Sequence, residues 1–180
     1  MTSPSYFLIG ARAVGKTTVG KALAHRLGRA FHDTDELITS RAGLTIKEMV
    51  SRYGWDYFRD LEKRVLAEVT LMPAAVIATG GGAIMHRHQW QKIRHCGHLV
   101  IWLAAPVAVL RRRLADDGNT GAMRPSLTGG DAGDELAAVV AERTPLYSQT
   151  ADLRVDVALL DTERIVADIV SYVLDKRRVH

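Results

Sequence analysis

Glycine, lysine and hydroxyl side chains occur near the start of the chain at a spacing suited to binding phosphate. Gly10, Gly15, Lys16 and Thr17 occupy the fixed places of the pattern G-x-x-x-x-G-K-[ST]. In such a loop the backbone N–H groups surround phosphate oxygens, the lysine reaches the β- and γ-phosphates, and the hydroxyl ligates Mg²⁺. The residues predicted to contact a nucleotide are Ala13, Val14, Gly15, Lys16, Thr17 and Thr18. The pattern predicts a nucleoside triphosphate site.

The sequence on either side of this loop has the context that the pattern requires. Tyr6–Ile9 is a short apolar run suited to a buried strand. Lys16–Leu27 carries Val19, Leu23 and Leu27 at helical spacing. The loop is therefore expected to open a helix, whose N-terminus favours anions.

Two carboxylates follow the next predicted strand, at Asp33 and Asp35. Ligands of open α/β sheets bind beyond the carboxyl ends of the strands. Asp33 could hold the water shell of a Mg²⁺ ion, and Asp35 could accept a hydrogen bond from a substrate hydroxyl. The alternative is that one of the two merely caps the helix that follows.

A run of three glycines, Gly80, Gly81 and Gly82, follows the apolar strand Ala75–Ala78. Because three successive glycines cost chain entropy, the run predicts close approach of a ligand to bare backbone N–H groups, with a flexible turn as the alternative.

Arg59 and Glu62 lie three residues apart on a predicted helix and can pair.

The histidines form no convincing ligand set, and we expect the first two to be solvated. They are His86, His88, His95 and His98.

Predicted strands and helices alternate along the whole chain. Gly54 is expected to interrupt a helical region that starts with a capping box at Thr45 and Glu48. Later strands are predicted at 97–103 and 153–157, with helices at 106–114, 134–151 and 161–176. A polar stretch at 115–127 is expected to form a mobile lid. The alternation predicts one α/β domain, 1–180, with a five-stranded parallel sheet and helices on both faces.

Composition narrows the possible partners. The chain has 180 residues, of which 47% are hydrophobic and 24% charged, with a net charge of +4. Its basic residues are scattered, so we expect no nucleic-acid binding. No apolar run approaches the length of a membrane span, and the residues before the first strand are too few for a signal peptide. The single Cys96 fits a reducing cytoplasm.

In their order and spacing these motifs resemble the shikimate kinase family over essentially the whole chain. The segments that carry the resemblance are the phosphate loop, residues 33–35, Phe58 with Arg59, residues 79–82, residues 124–127 and residues 143–147. The family transfers the γ-phosphoryl group of ATP to the 3-hydroxyl of shikimate. The resemblance implies a P-loop, nucleoside-monophosphate-kinase-like fold with a helical substrate-binding segment at about 34–62. It also implies ATP and shikimate as partners, and we expect a monomer.

The resemblance also implies roles for individual residues. Thr17 and Asp33 would serve Mg²⁺, while Asp35 would hold the shikimate hydroxyls and act as the candidate base. The substrate carboxylate would be clamped by Arg59, Arg143 and the backbone of the triple glycine, with Glu62 orienting Arg59. Lys16 and Arg124 would act on the phosphates, Arg124 closing with the lid. Either Arg112 or Arg113 would stack on adenine.

Two features depart from the family pattern, and other functions compete with the resemblance. The family usually has glycine where this chain has Ala13, and residues 157–162 lack the usual polar, proline-bearing adenine loop.

Alternative functions are a kinase of another small molecule, such as gluconate, and an ATP-binding protein without catalysis. A guanine-specific switch would need an N-K-x-D motif, which the sequence lacks.

Overall fold

Five parallel strands form one sheet in the order β2-β3-β1-β4-β5. The coordinates come from a computed structural model that describes residues 3–116 and 132–178. The strands are β1 (Tyr6–Ile9), β2 (Ala30–Asp33), β3 (Ala75–Ala78), β4 (Leu99–Ala104) and β5 (Leu153–Asp156). The predicted five-stranded parallel sheet is confirmed.

Within the described residues, seven helices connect and cover these strands. They are α1 (Lys16–Leu27), α2 (Thr34–Ala42), α3 (Ile46–Val69), α4 (Arg87–His95), α5 (Val107–Asp116), α6 (Ala132–Thr150) and α7 (Thr162–Arg178). A short 3₁₀ turn, Ala83–Met85, precedes α4. None of the described helices has the length and apolar character needed to cross a bilayer.

The alternation of side chains along β1 divides the core into two layers. Tyr6 and Leu8 join a buried cluster with residues of α1 and α7 on one face. Phe7 and Ile9 join a second cluster with residues of α3 and α4 on the other. All four side chains are essentially inaccessible, which explains why this strand reads as a continuous apolar run.

The strand order brings the predicted motifs to one edge of the sheet. β3 lies between β2 and β1, with Ala78 in register with both Asp33 and Leu8. The phosphate loop, the two aspartates and the triple glycine therefore leave three adjacent strands at the same end.

The predicted interruption of α3 is confirmed at Gly54, whose φ of 82° and ψ of 170° are not helical. The capping box is also present, because Thr45 and Glu48 exchange side-chain and backbone hydrogen bonds. The bond from the Thr45 backbone lowers the pKa of Glu48.

Two predicted boundaries are wrong by a few residues. Strand β4 begins at Leu99 rather than at residue 97, because Cys96 and Gly97 still donate backbone hydrogen bonds into α4. Helix α6 begins at Ala132, ahead of the predicted residue 134. Of the predicted lid, only residues 115 and 116 are described, and they complete α5; the rest lies outside the described residues.

Candidate active site

The phosphate loop opens into a cavity of about 550 Å³ at the carboxyl end of β1. The cavity lining includes all six residues predicted to contact a nucleotide, together with Asp33, Asp35, Arg113 and Leu160. Lys16 points back across the loop, and its Nζ donates to the carbonyl oxygens of Gly10 (3.0 Å) and Ala11 (2.8 Å). The loop thus holds the Lys16 ammonium beside a cavity that is large enough for the phosphate chain of a nucleotide.

Thr17 and Asp33 meet beside this loop. The Thr17 hydroxyl donates to Asp33 Oδ2 at 2.7 Å, while Asp33 Oδ1 accepts the backbone N–H groups of Asp35 (2.9 Å) and Glu36 (3.4 Å). Asp33 therefore caps α2, as the alternative interpretation predicted, and it also faces the loop, where its role toward Mg²⁺ stays a prediction. A hydroxyl next to a carboxylate is the kind of oxygen pair that suits Mg²⁺.

A metal ion at this pair would need further oxygen ligands. Among residues 3–116 and 132–178, no group of three or more His, Cys, Asp or Glu side chains is arranged to hold a metal. Mg²⁺ commonly keeps water and substrate phosphate oxygens and takes only one or two protein ligands. The pair therefore fits a cation that arrives with the nucleotide.

Ala13, at a position where the family usually has glycine, adopts a left-handed backbone conformation. Its φ is 62°, a region in which a Cβ costs about 1–2 kcal/mol. The strain lies within the nucleotide-binding loop itself.

We expect Ala13→Gly to raise the free energy of unfolding by up to about 1 kcal/mol, since relief of strain exceeds the entropy that glycine adds to the unfolded chain. Ala11→Gly is the matched control, because Ala11 lies in the same loop without a positive φ. That control should be destabilising. Urea denaturation measures both, and equal losses in the two variants would contradict strain at Ala13.

Side chains of the protein press closely against the triple glycine. A Cβ added at Gly80 would lie 2.7 Å from Asp35 Oδ1 and 2.8 Å from Glu62 Oε1, and one added at Gly82 would overlap the Arg59 guanidinium. All three glycines are buried. The segment is packed against charged side chains, and close approach of a ligand to its backbone stays a prediction.

A buried cluster of charged groups lies behind the triple glycine. Arg59 Nη1 donates to Glu62 Oε2 at 2.6 Å, and the Glu62 side chain is only 1% exposed. The Arg59 guanidinium also lies over the rings of Trp55 (5.2 Å) and Phe58 (5.5 Å). The predicted pair is confirmed, and it belongs to the interior rather than to the surface.

His86 joins this cluster, which corrects the expectation that it is solvated. Its Nε2 lies 3.0 Å from Glu62 Oε2, and its side chain is 14% exposed. The 3₁₀ turn that precedes it packs against α3 and α6, and this packing carries the ring inward. His88, two residues further, is exposed as expected.

Helix α6 contributes Arg143 and Tyr147, which lie four residues apart and share a face. The Tyr147 hydroxyl donates to the Gly81 carbonyl oxygen at 2.7 Å. Burial raises the pKa of Tyr147 to about 12, despite the opposing effect of the Arg143 charge. Tyr147 is thus a neutral donor at physiological pH that fixes the triple glycine. The sequence predicted Tyr147 only as part of the segment 143–147, although its spacing of four residues from Arg143 places both side chains on one helix face.

Arg143 is 8% exposed, and its buried Nε finds no hydrogen-bond partner among the described residues. Tyr147 lies close to both arginines and to the triple glycine. The charges of Arg143 and Arg59 both lower its pKa, and its hydroxyl donates to Gly81. A carboxylate ligand would satisfy the unpaired donor.

The two candidates for the adenine contact are placed differently. Arg113 lines the cavity and donates to the carbonyl oxygens of Val14 (3.1 Å) and Val157 (2.8 Å). Arg112 is exposed and is not part of the cavity lining. Arg124 lies outside the described residues.

A phosphate loop after β1, a carboxylate beside it, Arg59 on α3 and the buried Arg143 on α6 are features of a P-loop kinase of small molecules. A family profile described as shikimate kinase matches residues 12–174. The chain belongs to the shikimate kinase family.

Individual relatives agree with this assignment. The chain is 46% identical over 145 residues to a shikimate kinase of Nitratidesulfovibrio vulgaris, covering 81% of this chain and 82% of that protein. It is 45% identical over 171 residues to shikimate kinase 2 of an Enterobacter species, covering 95% of each chain. Among solved structures, shikimate kinase from Acinetobacter baumannii in complex with shikimate superposes with a TM-score of 0.88 and 32% identity, covering 97% of this chain and 95% of that one.

Proposed function

We propose that the protein transfers the γ-phosphoryl group of ATP to the 3-hydroxyl of shikimate, giving shikimate 3-phosphate and ADP. The observation that carries the proposal is the position of Gly80. Asp35, which lines the phosphate-loop cavity, and Glu62, which holds Arg59, both lie against this glycine. A hydroxyl bound between a nucleotide and a buried arginine cluster would therefore meet the Asp35 carboxylate.

The nucleotide end of the site would be formed by the phosphate loop. Backbone N–H groups of residues 13–18 and the Lys16 ammonium would hold the phosphate oxygens, and Lys16 would exchange its contacts with the Gly10 and Ala11 carbonyls for the nucleotide. Thr17 and Asp33 would hold Mg²⁺, which neutralises charge on the phosphates. Arg113, which lines the cavity, would contact the adenine, and Arg124 would approach the phosphates as the lid closes.

The acceptor end would bind a carboxylate. The guanidinium groups of Arg59 and Arg143 can each give two parallel hydrogen bonds, which fix the plane of a carboxylate as well as neutralising its charge. The backbone N–H groups at residues 80–82 would add donors, since Tyr147 holds this segment by the Gly81 carbonyl. The substrate class is thus a small hydroxylated carboxylic acid.

The chemical step would depend mainly on positioning. The acceptor oxygen bonds to the γ-phosphorus, the bond from that phosphorus to the β–γ bridging oxygen breaks, and the electron pair leaves with ADP. The alcohol proton passes to the Asp35 carboxylate late in the transfer, because the alcohol carries little negative charge until then. Asp35 would therefore orient the hydroxyl as well as accept its proton.

A coupled assay of ADP release tests this proposal. With ATP and Mg²⁺ present, we expect release to depend on added shikimate, and gluconate at the same concentration to give no turnover. Turnover with gluconate alone would favour the other small-molecule kinase. Equal ADP release with and without any acceptor would overturn the proposal in favour of simple nucleotide hydrolysis.

Two further proposals concern the whole molecule. We propose that it acts as a monomer, which size-exclusion chromatography with light scattering tests directly.

We also propose a cytoplasmic location, in keeping with the single, exposed and unpaired Cys96. Fractionation of cells that express the tagged protein tests the location.

A further inference from the structure

His86 occupies a place in the buried cluster that the proposed reaction does not use. It follows directly on the 3₁₀ turn Ala83–Met85 and is the N-cap residue of α4, at the end of the segment that begins with the triple glycine. Its ring nevertheless turns inward to Glu62, which lies 24 residues earlier in the chain. A carboxylate can only accept a hydrogen bond, so the proton of this bond belongs to His86 Nε2.

Glu62 is held from three directions. Its Oε2 accepts from Arg59 Nη1 at 2.6 Å and from His86 at 3.0 Å, while its Oε1 lies against the backbone of Gly80. The terminal torsion of a glutamate is broad, so a carboxylate bound by one flexible arginine can turn. The His86 ring contributes a second donor from a different element, and this donor restricts that rotation.

The orientation of Glu62 in turn decides where the Arg59 guanidinium lies. Arg59 sits between Glu62, the Trp55 ring and the backbone of Gly82, which has no room for even a methyl group. A small rotation of the Glu62 carboxylate would therefore move the donors that Arg59 presents to a substrate.

We propose that His86 is a positioning residue for the carboxylate clamp, acting through Glu62 on Arg59. The proposal rests on the proposed function, since it assumes that Arg59 binds the carboxylate of the acceptor. His86 does not touch the substrate in this account. It keeps the guanidinium aimed, so its loss should weaken acceptor binding and leave the chemical step intact.

Steady-state kinetics of His86→Ala and His86→Gln test the proposal. We expect the alanine variant to raise the KM for shikimate about tenfold, because a hydrogen bond to a buried carboxylate is lost. Its kcat and its KM for ATP should stay within about twofold of wild type. The glutamine variant should restore the shikimate KM to within about threefold, since its amide nitrogen can donate in place of Nε2. His88→Ala, which changes an exposed histidine nearby, should have no effect.

The results separate this proposal from the proposed function. If the wild-type protein phosphorylates shikimate and His86→Ala leaves its shikimate KM unchanged, the positioning role is wrong while the function stands. A glutamine variant as impaired as the alanine variant would also overturn it. So would a loss of kcat and melting temperature without a change in KM, which would mark a purely structural residue. If the wild-type protein does not phosphorylate shikimate, both proposals fail.

Discussion

Replacing Asp35 by asparagine is expected to lower kcat by roughly 100- to 10,000-fold, the range typical of losing a general base. Asparagine keeps the size of the side chain and part of its hydrogen bonding but cannot take the proton of the acceptor hydroxyl. Shikimate binding should therefore survive in part. The side chain lines the phosphate-loop cavity and lies against Gly80, and asparagine is nearly isosteric with aspartate, so packing should be preserved.

Asp35→Ala separates the two roles that we propose for this carboxylate. It removes both basicity and hydrogen bonding, so we expect the alanine variant to lose shikimate affinity in addition to turnover. Asp60→Asn is the matched control, since it makes the same chemical change at an exposed position next to Arg59. Titration calorimetry with shikimate and steady-state kinetics measure the two effects. Turnover of Asp35→Asn near the wild-type rate would leave Asp35 as a positioning group that is not the base.

Replacing Arg143 by alanine is expected to weaken shikimate binding by about 2–3 kcal/mol, roughly 30- to 160-fold in Kd. The lost guanidinium is buried, and its Nε lacks a partner among the described residues, so the proposed contact with a carboxylate would be well desolvated. Arg143→Lys should recover only part of the affinity, because an ammonium cannot form the two parallel bonds. ATP affinity should not change.

Arg59→Ala should weaken shikimate binding by a similar amount but cost far more stability. It leaves the Glu62 carboxylate buried without its arginine, a change worth about 3–5 kcal/mol. Arg143 has no carboxylate partner in the described part of the chain, so its loss should affect the melting temperature less. Arg164→Ala, at an exposed ion pair on α7, controls for removing an arginine. Normal shikimate binding by both clamp variants would contradict the assignment.

The sequence predicted the fold and the phosphate loop because their signals are local. Tyr6–Ile9 and Ala75–Ala78 read as buried strands since both of their faces are covered, and the loop between β1 and α1 carries a fixed pattern. The positive φ of Ala13 does not follow from the phosphate-loop pattern, which leaves this position open; only the family resemblance, with its usual glycine there, pointed to it.

The remaining details depend on contacts between distant segments. The inward turn of His86 follows from the packing of a 3₁₀ turn against α3 and α6, which no periodicity encodes. The triple glycine was predicted to let a ligand approach closely, whereas the groups that lie against it in the structure are side chains of α2 and α3. Likewise, only the structure shows that Arg113 lines the cavity and Arg112 does not, and which of them contacts adenine stays a prediction.

Identification of the reaction product tests the central claim most directly. The protein is incubated with ATP, Mg²⁺ and shikimate, ADP is quantified, and the phosphate ester is located by phosphorus and proton NMR. We predict one ADP per ester formed, with the phosphate on the 3-hydroxyl and the carboxylate unmodified. An ester at another hydroxyl, or ADP formed without any ester, would contradict the account.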